Sequence, residues 1–266
     1  MVATMVTRPP HPALAPLVHR GYVGYAESTG GPLVRVETPH PAIVVIVNLG
    51  PRLRVGDGRF GSFVAGLTDM PVRTEHAGEQ AGIQLDLTPQ GARMLLGVPM
   101  REVARQVVEL DALVPSAVVE RLRSLESWKA RFAALDAFLL ARLDAADAPR
   151  PDVSFAWSRL VQSGGTVGVA QLCAELGCSR RHLAARFGDE VGLGPKAVAR
   201  ILRFQRTLAL LDGGAAPLAA VAAAGGFSDQ PHFNREFRAM AGCTPGEYLL
   251  ARTPFPNVQD ALALGA

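Results

Sequence analysis

Apolar residues recur along this chain with two different periods, and the change between them comes shortly after residue 87. Before it, Leu33-Val34-Arg35-Val36-Glu37 alternates, and Ile43-Val44-Val45-Ile46-Val47 is an unbroken β-branched run. Leu53-Arg54-Val55, Phe60 to Ala65 and Ile83-Gln84-Leu85-Asp86-Leu87 follow at short intervals. Such segments predict strands, and Gly56-Asp57-Gly58 predicts a hairpin turn between two of them. Several short strands punctuated by Gly and Pro predict a small barrel or sandwich.

Thr88-Pro89 then predicts a helix start, a threonine cap followed by proline at the first position, with the helix running to Gly97. A helical period predicts three more helices, Met100 to Leu110, Ser116 to Leu125 and Ser127 to about Ala145. On the last, Trp128, Phe132, Leu135, Leu139 and Leu143 form one apolar stripe. The stripe either packs on its own domain or forms a helix-pair interface in a homodimer. Ala148-Pro149-Arg150-Pro151 breaks the pattern and predicts an interdomain linker.

Beyond the linker the pattern is helical throughout, and one arrangement occurs twice. Val169 to Leu176 carries apolar residues at helical spacing and stops at Gly177, which accepts the left-handed conformation of a tight turn. Ser179 predicts the N-cap of the next helix, in which Leu183 and Phe187 turn inward, four residues apart. Leu218 to Ala222 opens a second short helix, Gly225-Gly226-Phe227 turns, and Ser228 or Asp229 caps a helix from Gln230 to Arg238. Pro231 is tolerated there because first-turn amides have no intrahelical partner. Pro195 to Leu211 reads as one uninterrupted helix joining the two. Two helix-turn-helix patterns on a rigid spacer predict binding to double-stranded DNA, with each second helix in a major groove.

The residues that carry this pattern resemble a known family. Leu172-Cys173-Ala174-Glu175-Leu176-Gly177-Cys178-Ser179-Arg180-Arg181-His182-Leu183, then Gly226-Phe227-Ser228-Asp229-Gln230-Pro231-His232-Phe233-Asn234-Arg235-Glu236-Phe237, then Gly242-Cys243-Thr244-Pro245-Gly246-Glu247-Tyr248, are similar to the DNA-binding domain of AraC/XylS-type transcription regulators. The resemblance spans about Val153 to Arg252. It implies sequence-specific promoter binding, usually as an activator that contacts RNA polymerase, with an N-terminal domain for a small-molecule effector or for dimerisation. By position, it implies base contacts from Arg181, Ala184 and Ala185 in the first head and from Gln230, Asn234 and Arg235 in the second. Arginine pairs with guanine, whereas alanine only packs against a thymine methyl. Family members often carry Arg two residues before the inward Phe of the first head; here that position is Ala185, with Arg186 beside it. Arg180, Arg186, Arg200, Arg203 and Arg238 are the phosphate candidates, which position a protein without reading sequence. For each of these arginines a merely solvated surface role is the competing reading.

Charge and cysteine usage refine this only slightly. The 266 residues carry a net charge of +3, compatible with DNA binding without diagnosing it. The excess lies between Arg180 and Arg206, interrupted only by Asp189 and Glu190. Three cysteines, Cys173, Cys178 and Cys243, have no framework spacing and predict a reducing cytoplasm. Met1 to Pro16 does not read as a leader, and no apolar run approaches the ~20 residues of a membrane helix.

Enzymatic readings find little to stand on. His11, His19, His40 and His76 lack metal-ligand spacing, there is no nucleophile elbow or phosphate-binding glycine loop, and no N-terminal cysteine of the kind a DNA-repair variant of the family uses. No catalytic residue, metal or cofactor is expected. Tyr22, Tyr25, Asn48, Asp69, Arg73, Glu75, His76, Gln84 and Asp86 could supply the polar groups of an effector pocket, or be ordinary loop and strand residues. The Ala65-Gly66-Leu67-Thr68-Asp69-Met70-Pro71 turn brackets polar groups between strands. No residue identifies an effector.

The expected fold is therefore α+β: residues 1–148 as a β-rich barrel or sandwich with helical extension, a linker at 149–152, an all-α domain with two helix-turn-helix units at 153–252, and a tail at 253–266. The alternative from another class is a ligand-binding or catalytic barrel whose helical tail mediates protein contacts. A weaker variant is a constitutive DNA binder whose N-terminal half only dimerises.

Overall fold

The computed structural model describes residues 2–214 and 217–250; the expected tail at 253–266 lies outside the described residues. The N-terminal strands are β1 (Val2–Arg8), β2 (Tyr22–Ser28), β3 (Leu33–Glu37), β4 (Ile43–Asn48), β5 (Leu53–Val55), β6 (Gly58–Phe60), β7 (Phe63–Ala65), β8 (Val72–His76), β9 (Glu79–Leu87) and β10 (Val107–Glu109). They form two antiparallel sheets, in the orders β1-β2-β9-β4-β7-β10 and β3-β8-β5-β6.

Strand β4 shows why these residues build a sandwich. Ile43, Val45 and Val47 face a core shared with helices, while Val44 and Ile46 face the space between the sheets with Leu53, Val55 and Phe63. A strand buried on both faces has no position for a polar residue, so its run is unbroken. The β5–β6 hairpin pairs Val55 with Gly58 around Gly56-Asp57, with Gly56 at φ 57°.

Two segments depart from the elements their sequences predict. Phe60 to Ala65 is not one strand: a bend at Gly61-Ser62 sends β6 and β7 into different sheets. Met100 to Leu110 is not a helix. Met100–Glu102 makes a 3-10 turn, Arg105 has φ 55°, Val107–Glu109 pairs with β7, and Leu110 begins a second 3-10 turn. Met100, Val103, Val107 and Leu110 imitate a helical face in their spacing. Their backbone is instead held by the neighbouring strand, with Gly66 N–H donating to the Gln106 carbonyl and Arg105 N–H to that of Leu67. Strands β1, β2 and β8 come in addition to those expected.

Helices α1 (Pro89–Leu96), α2 (Ser116–Ser124) and α3 (Trp128–Asp144) complete this half. Thr88 caps α1 by accepting from Gly91 N–H, and Gly97 ends it at φ 75°. The α3 stripe packs on its own domain: Phe132, Leu135 and Leu139 are buried, and Trp128 lies over Gly24 of β2, where a Cβ would come 2.5 Å from the indole. The Asp136 carboxylate on the same helix accepts from Tyr22 O–H at 2.8 Å and from His11 N–H at 3.0 Å.

After residues 145–150 the chain is helical, with α4 (Pro151–Gln162), α5 (Val169–Leu176), α6 (Arg180–Val191), α7 (Pro195–Asp212), α8 (Leu218–Ala224), α9 (Gln230–Ala241) and α10 (Pro245–Leu250). Pro151 and Asp152, expected in the linker, form the first turn of α4. Packing divides the molecule elsewhere. One core runs without interruption from the sheets and α1–α3 into α4, α5, α6 and the first half of α7, as far as Leu202. A separate core, from Phe204 to Ala241, joins the second half of α7 to the second helix-turn-helix.

The joint around α6 accounts for that continuity. Glu190, 1% exposed, accepts from Arg150 N–H at 3.1 Å and lies 3.8 Å from the Arg93 guanidinium. Arg101 of the 3-10 turn pairs with Asp189. Burial of a carboxylate is tolerated only with such partners.

Candidate nucleic-acid interface

The first head is α5, a left-handed Gly177 at φ 62°, and α6. Ser179 caps α6 by accepting from His182 N–H at 3.2 Å. Leu183 and Phe187 point inward with no exposed surface, which turns Arg180, Arg181, His182, Ala184 and Ala185 to solvent. Arg159 of α4 braces α5 through two 2.9 Å hydrogen bonds to Glu175, whose carboxyl it holds at about 2.

The second head repeats the design with other residues. Gly226 takes the left-handed turn at φ 76°, and Asp229, rather than Ser228, is the cap, accepting from His232 N–H at 2.6 Å. That hydrogen bond holds the Asp229 carboxyl below its ordinary range. Phe233 and Phe237 point inward, 5.6 Å apart between ring centres, and Gln230, Arg235 and Arg238 are exposed. His182 and His232 thus occupy equivalent places, each giving its backbone N–H to the cap.

Five of the six expected base-facing side chains are exposed: Arg181, Ala184, Ala185, Gln230 and Arg235. Asn234 is half-buried, and its Oδ1 is buried without a hydrogen-bond partner. Among the expected phosphate contacts, Arg180 and Arg238 are exposed, whereas three others are engaged inside the protein. Arg186 pairs with Asp152 at 2.8 Å. Burial alone would raise the Asp152 carboxyl, but Arg186 outweighs it and holds it low. Arg200 lies between Glu236 at 2.7 Å and Asp69 at 3.2 Å. Arg203 sits 5.7 Å over the Phe227 ring, with its Nε buried and unpaired, and burial lowers its pKa. Lys196 and Arg206 on α7 are exposed cations that were not among the expected contacts; their only sequence signal is membership of the basic stripe.

The expected pocket residues scatter. Tyr25, Glu75, His76 and Gln84 line one cavity between the sheets. Tyr22 turns to Asp136, and Asn48 holds its own turn by accepting from Gly50 N–H and donating to the Pro51 carbonyl. Asp86 accepts from Gln84 at 2.9 Å. Arg73 pairs with Glu75, and Asp69 faces Arg105 and Arg200. Arg35, His40 and Arg105 also line the cavity and carry no sequence signal, because the segment around residues 35–40 meets Arg105 and the strands between them only when the chain is folded.

Comparison with known proteins agrees with this geometry. Residues 172–251 match the model of a helix-turn-helix domain, and residues 6–109 match a domain of unknown function (DUF6597). A putative AraC-like transcription regulator of Streptomyces antibioticus is 38% identical over 80 residues, 30% of this chain and 26% of that protein. A probable bifunctional transcriptional activator/DNA repair enzyme AlkA of Mycobacterium tuberculosis is 38% identical over 99 residues, 36% of this chain and 20% of that protein. The chain thus spans about a quarter or less of the length of these curated relatives. Among solved structures, ToxT from Vibrio cholerae O395 superposes with a TM-score of 0.50 at 14% identity, covering 86% of this chain and 97% of that one, which is a likeness of fold. Among the described residues no helix is long and apolar enough to cross a membrane. With two capped and glycine-turned heads in place, the C-terminal region over residues 172–251 is a helix-turn-helix domain of the AraC type.

Proposed function

We propose that this chain is an AraC-type transcription regulator that binds promoter DNA through both heads, with its N-terminal half modulating that binding in response to a small molecule. The observation that carries the reading is the repetition of one solution at both ends of α7: a capped helix start, an outward first turn, and an inward pair four residues apart. Helix α7 has 18 residues, a spacer of about 27 Å at 1.5 Å per residue. Heads so joined suit successive major-groove segments on one face of B-DNA, roughly 34 Å apart, and hence a long asymmetric site for each chain.

Arg181, Gln230, Asn234 and Arg235 are the polar base readers of this account, Ala184 and Ala185 pack on base methyls, and Arg180 and Arg238 hold phosphates. Arg186, Arg200 and Arg203 reach phosphate only by leaving Asp152, Asp69 and Glu236, and Phe227 respectively. The protein acts in the cytoplasm as an activator that contacts RNA polymerase, pairs as a homodimer on adjacent sites, and performs no covalent chemistry of its own. Titration of the full-length protein with double-stranded DNA at two salt concentrations tests the reading. Affinity should fall steeply with salt, as released counterions require. No affinity at low salt would favour the ligand-binding barrel with a protein-contacting tail.

A further inference from the structure

The space between the two sheets is a cavity of about 180 Å³ whose walls are largely apolar, with Val44, Ile46, Leu53, Val55 and Phe63 among them. Its charged wall residues are already matched from within. Arg35 lies 2.6 Å from Glu27, Arg105 2.9 Å from Asp69, and Glu75 3.7 Å from Arg73, while Glu37 accepts from Thr74 O–H at 3.1 Å.

Two polar wall residues differ from these. Tyr25 is 6% exposed, yet its hydroxyl makes no hydrogen bond among the described residues. The His40 imidazole likewise makes none. Burial raises the Tyr25 phenol above its ordinary value and lowers the His40 imidazole, the latter against an opposing pull from Asp86. Both are therefore neutral near pH 7 and keep hydrogen-bonding capacity that the protein leaves unused. Buried polar groups normally have partners, and an unfilled one in a cavity wall marks where a ligand atom would be rewarded.

We propose that this cavity binds a small uncharged molecule with a largely apolar body and a hydroxyl or carbonyl group, held by Tyr25 and His40. A charged ligand would lose its hydration against walls whose charges already have partners, and it would find no free counter-charge to offset that loss. A neutral hydroxyl gains a partner at little desolvation cost and spends its apolar body against the valines and Phe63. The modest volume, below the range usual for drug-sized ligands, sets a fragment-sized upper limit. The inference rests on reading the N-terminal half as the effector-bearing half.

The test uses the full-length protein and three probes of matched aromatic body: phenol, benzoate and benzylamine. Thermal shift and calorimetric titration should show phenol binding at least tenfold tighter than either charged probe. Tyr25→Phe, which removes only an unpartnered hydroxyl, should leave the ligand-free melting temperature unchanged or higher and weaken phenol binding roughly five- to tenfold, the value of one hydrogen bond. Ala65→Phe, which fills the cavity, should abolish binding; if that variant does not fold, Tyr25→Phe decides alone. Benzoate or benzylamine binding as well as phenol, phenol binding unaffected by Tyr25→Phe, or no phenol binding up to its solubility limit would overturn the proposal. DNA affinity measured on the same samples keeps the two readings apart, because probe binding without DNA affinity would sink the regulator reading and leave this one standing.

Discussion

The carboxylate of Asp69, in the loop between β7 and β8, meets the guanidinium of Arg200, in the first half of α7, at 3.2 Å. The other oxygen of Asp69 accepts from Arg105 on the cavity wall at 2.9 Å, and Arg200 in turn holds Glu236 of the second reading helix at 2.7 Å. Gln205 adds a 2.6 Å hydrogen bond to the Pro39 carbonyl. One short polar chain thus runs from the cavity wall to the second head.

Loosening that chain should free the second head. Burial alone would raise the Asp69 carboxyl, but Arg105 and, less strongly, Arg200 hold it below its ordinary 3.8. A carboxyl depressed on folding contributes stability that is fully present above its unfolded value and is lost as pH falls through its folded one. The contact should therefore persist at neutral pH and fail only below about pH 4. Partly exposed ion pairs are worth about 1 kcal/mol or less. Asp69→Asn should accordingly raise hydrogen exchange a few-fold in α8 and α9 at pH 7, with the sheets unchanged; equal exchange in variant and parent would show that the contact holds nothing.

The division of the core makes a second prediction. Phe233 belongs to the small core and Phe187 to the large one, and both have no exposed surface. Truncating a buried Phe costs about 3–5 kcal/mol. Phe233→Ala should melt the second head in a separate transition while the near-native signal of the N-terminal half survives. Phe187→Ala should lower the main transition. A single cooperative transition shifted equally by both would contradict the division.

Base and phosphate roles separate by their response to sequence. Arg181→Ala and Arg235→Ala should each weaken binding to the selected site by about 1–3 kcal/mol and leave random DNA nearly untouched. Arg238→Ala should weaken both alike and flatten the salt dependence. Competition binding with specific and scrambled duplexes reads the difference.

Both heads were legible in the sequence because each is written in local chemistry: an inward pair four residues apart, a left-handed glycine, and a side-chain cap three residues before the amide it serves. Strand β4 was legible for the same reason, as a run of branched residues. Strand β1 was not, since Ala3-Thr4-Met5 is exposed and carries no apolar alternation, and β2 is interrupted by the Gly24 that makes room for Trp128. The residues around Val107 carry a helical spacing although they form an edge strand, because the two structures place apolar groups at the same positions. What no local pattern encodes is long-range pairing. Asp69 with Arg200, Glu190 with Arg150, and the cavity shared by Tyr25 and His40 depend on segments that meet only when the chain is folded.

The most direct test of the central claim is selection of genomic fragments by the purified full-length protein, followed by footprinting of the enriched sites. A bipartite motif with elements about one helical turn apart is expected, the second element losing protection in Arg235→Ala and the first in Arg181→Ala. Salt-sensitive binding without any enriched motif, or one element indifferent to both substitutions, would contradict it.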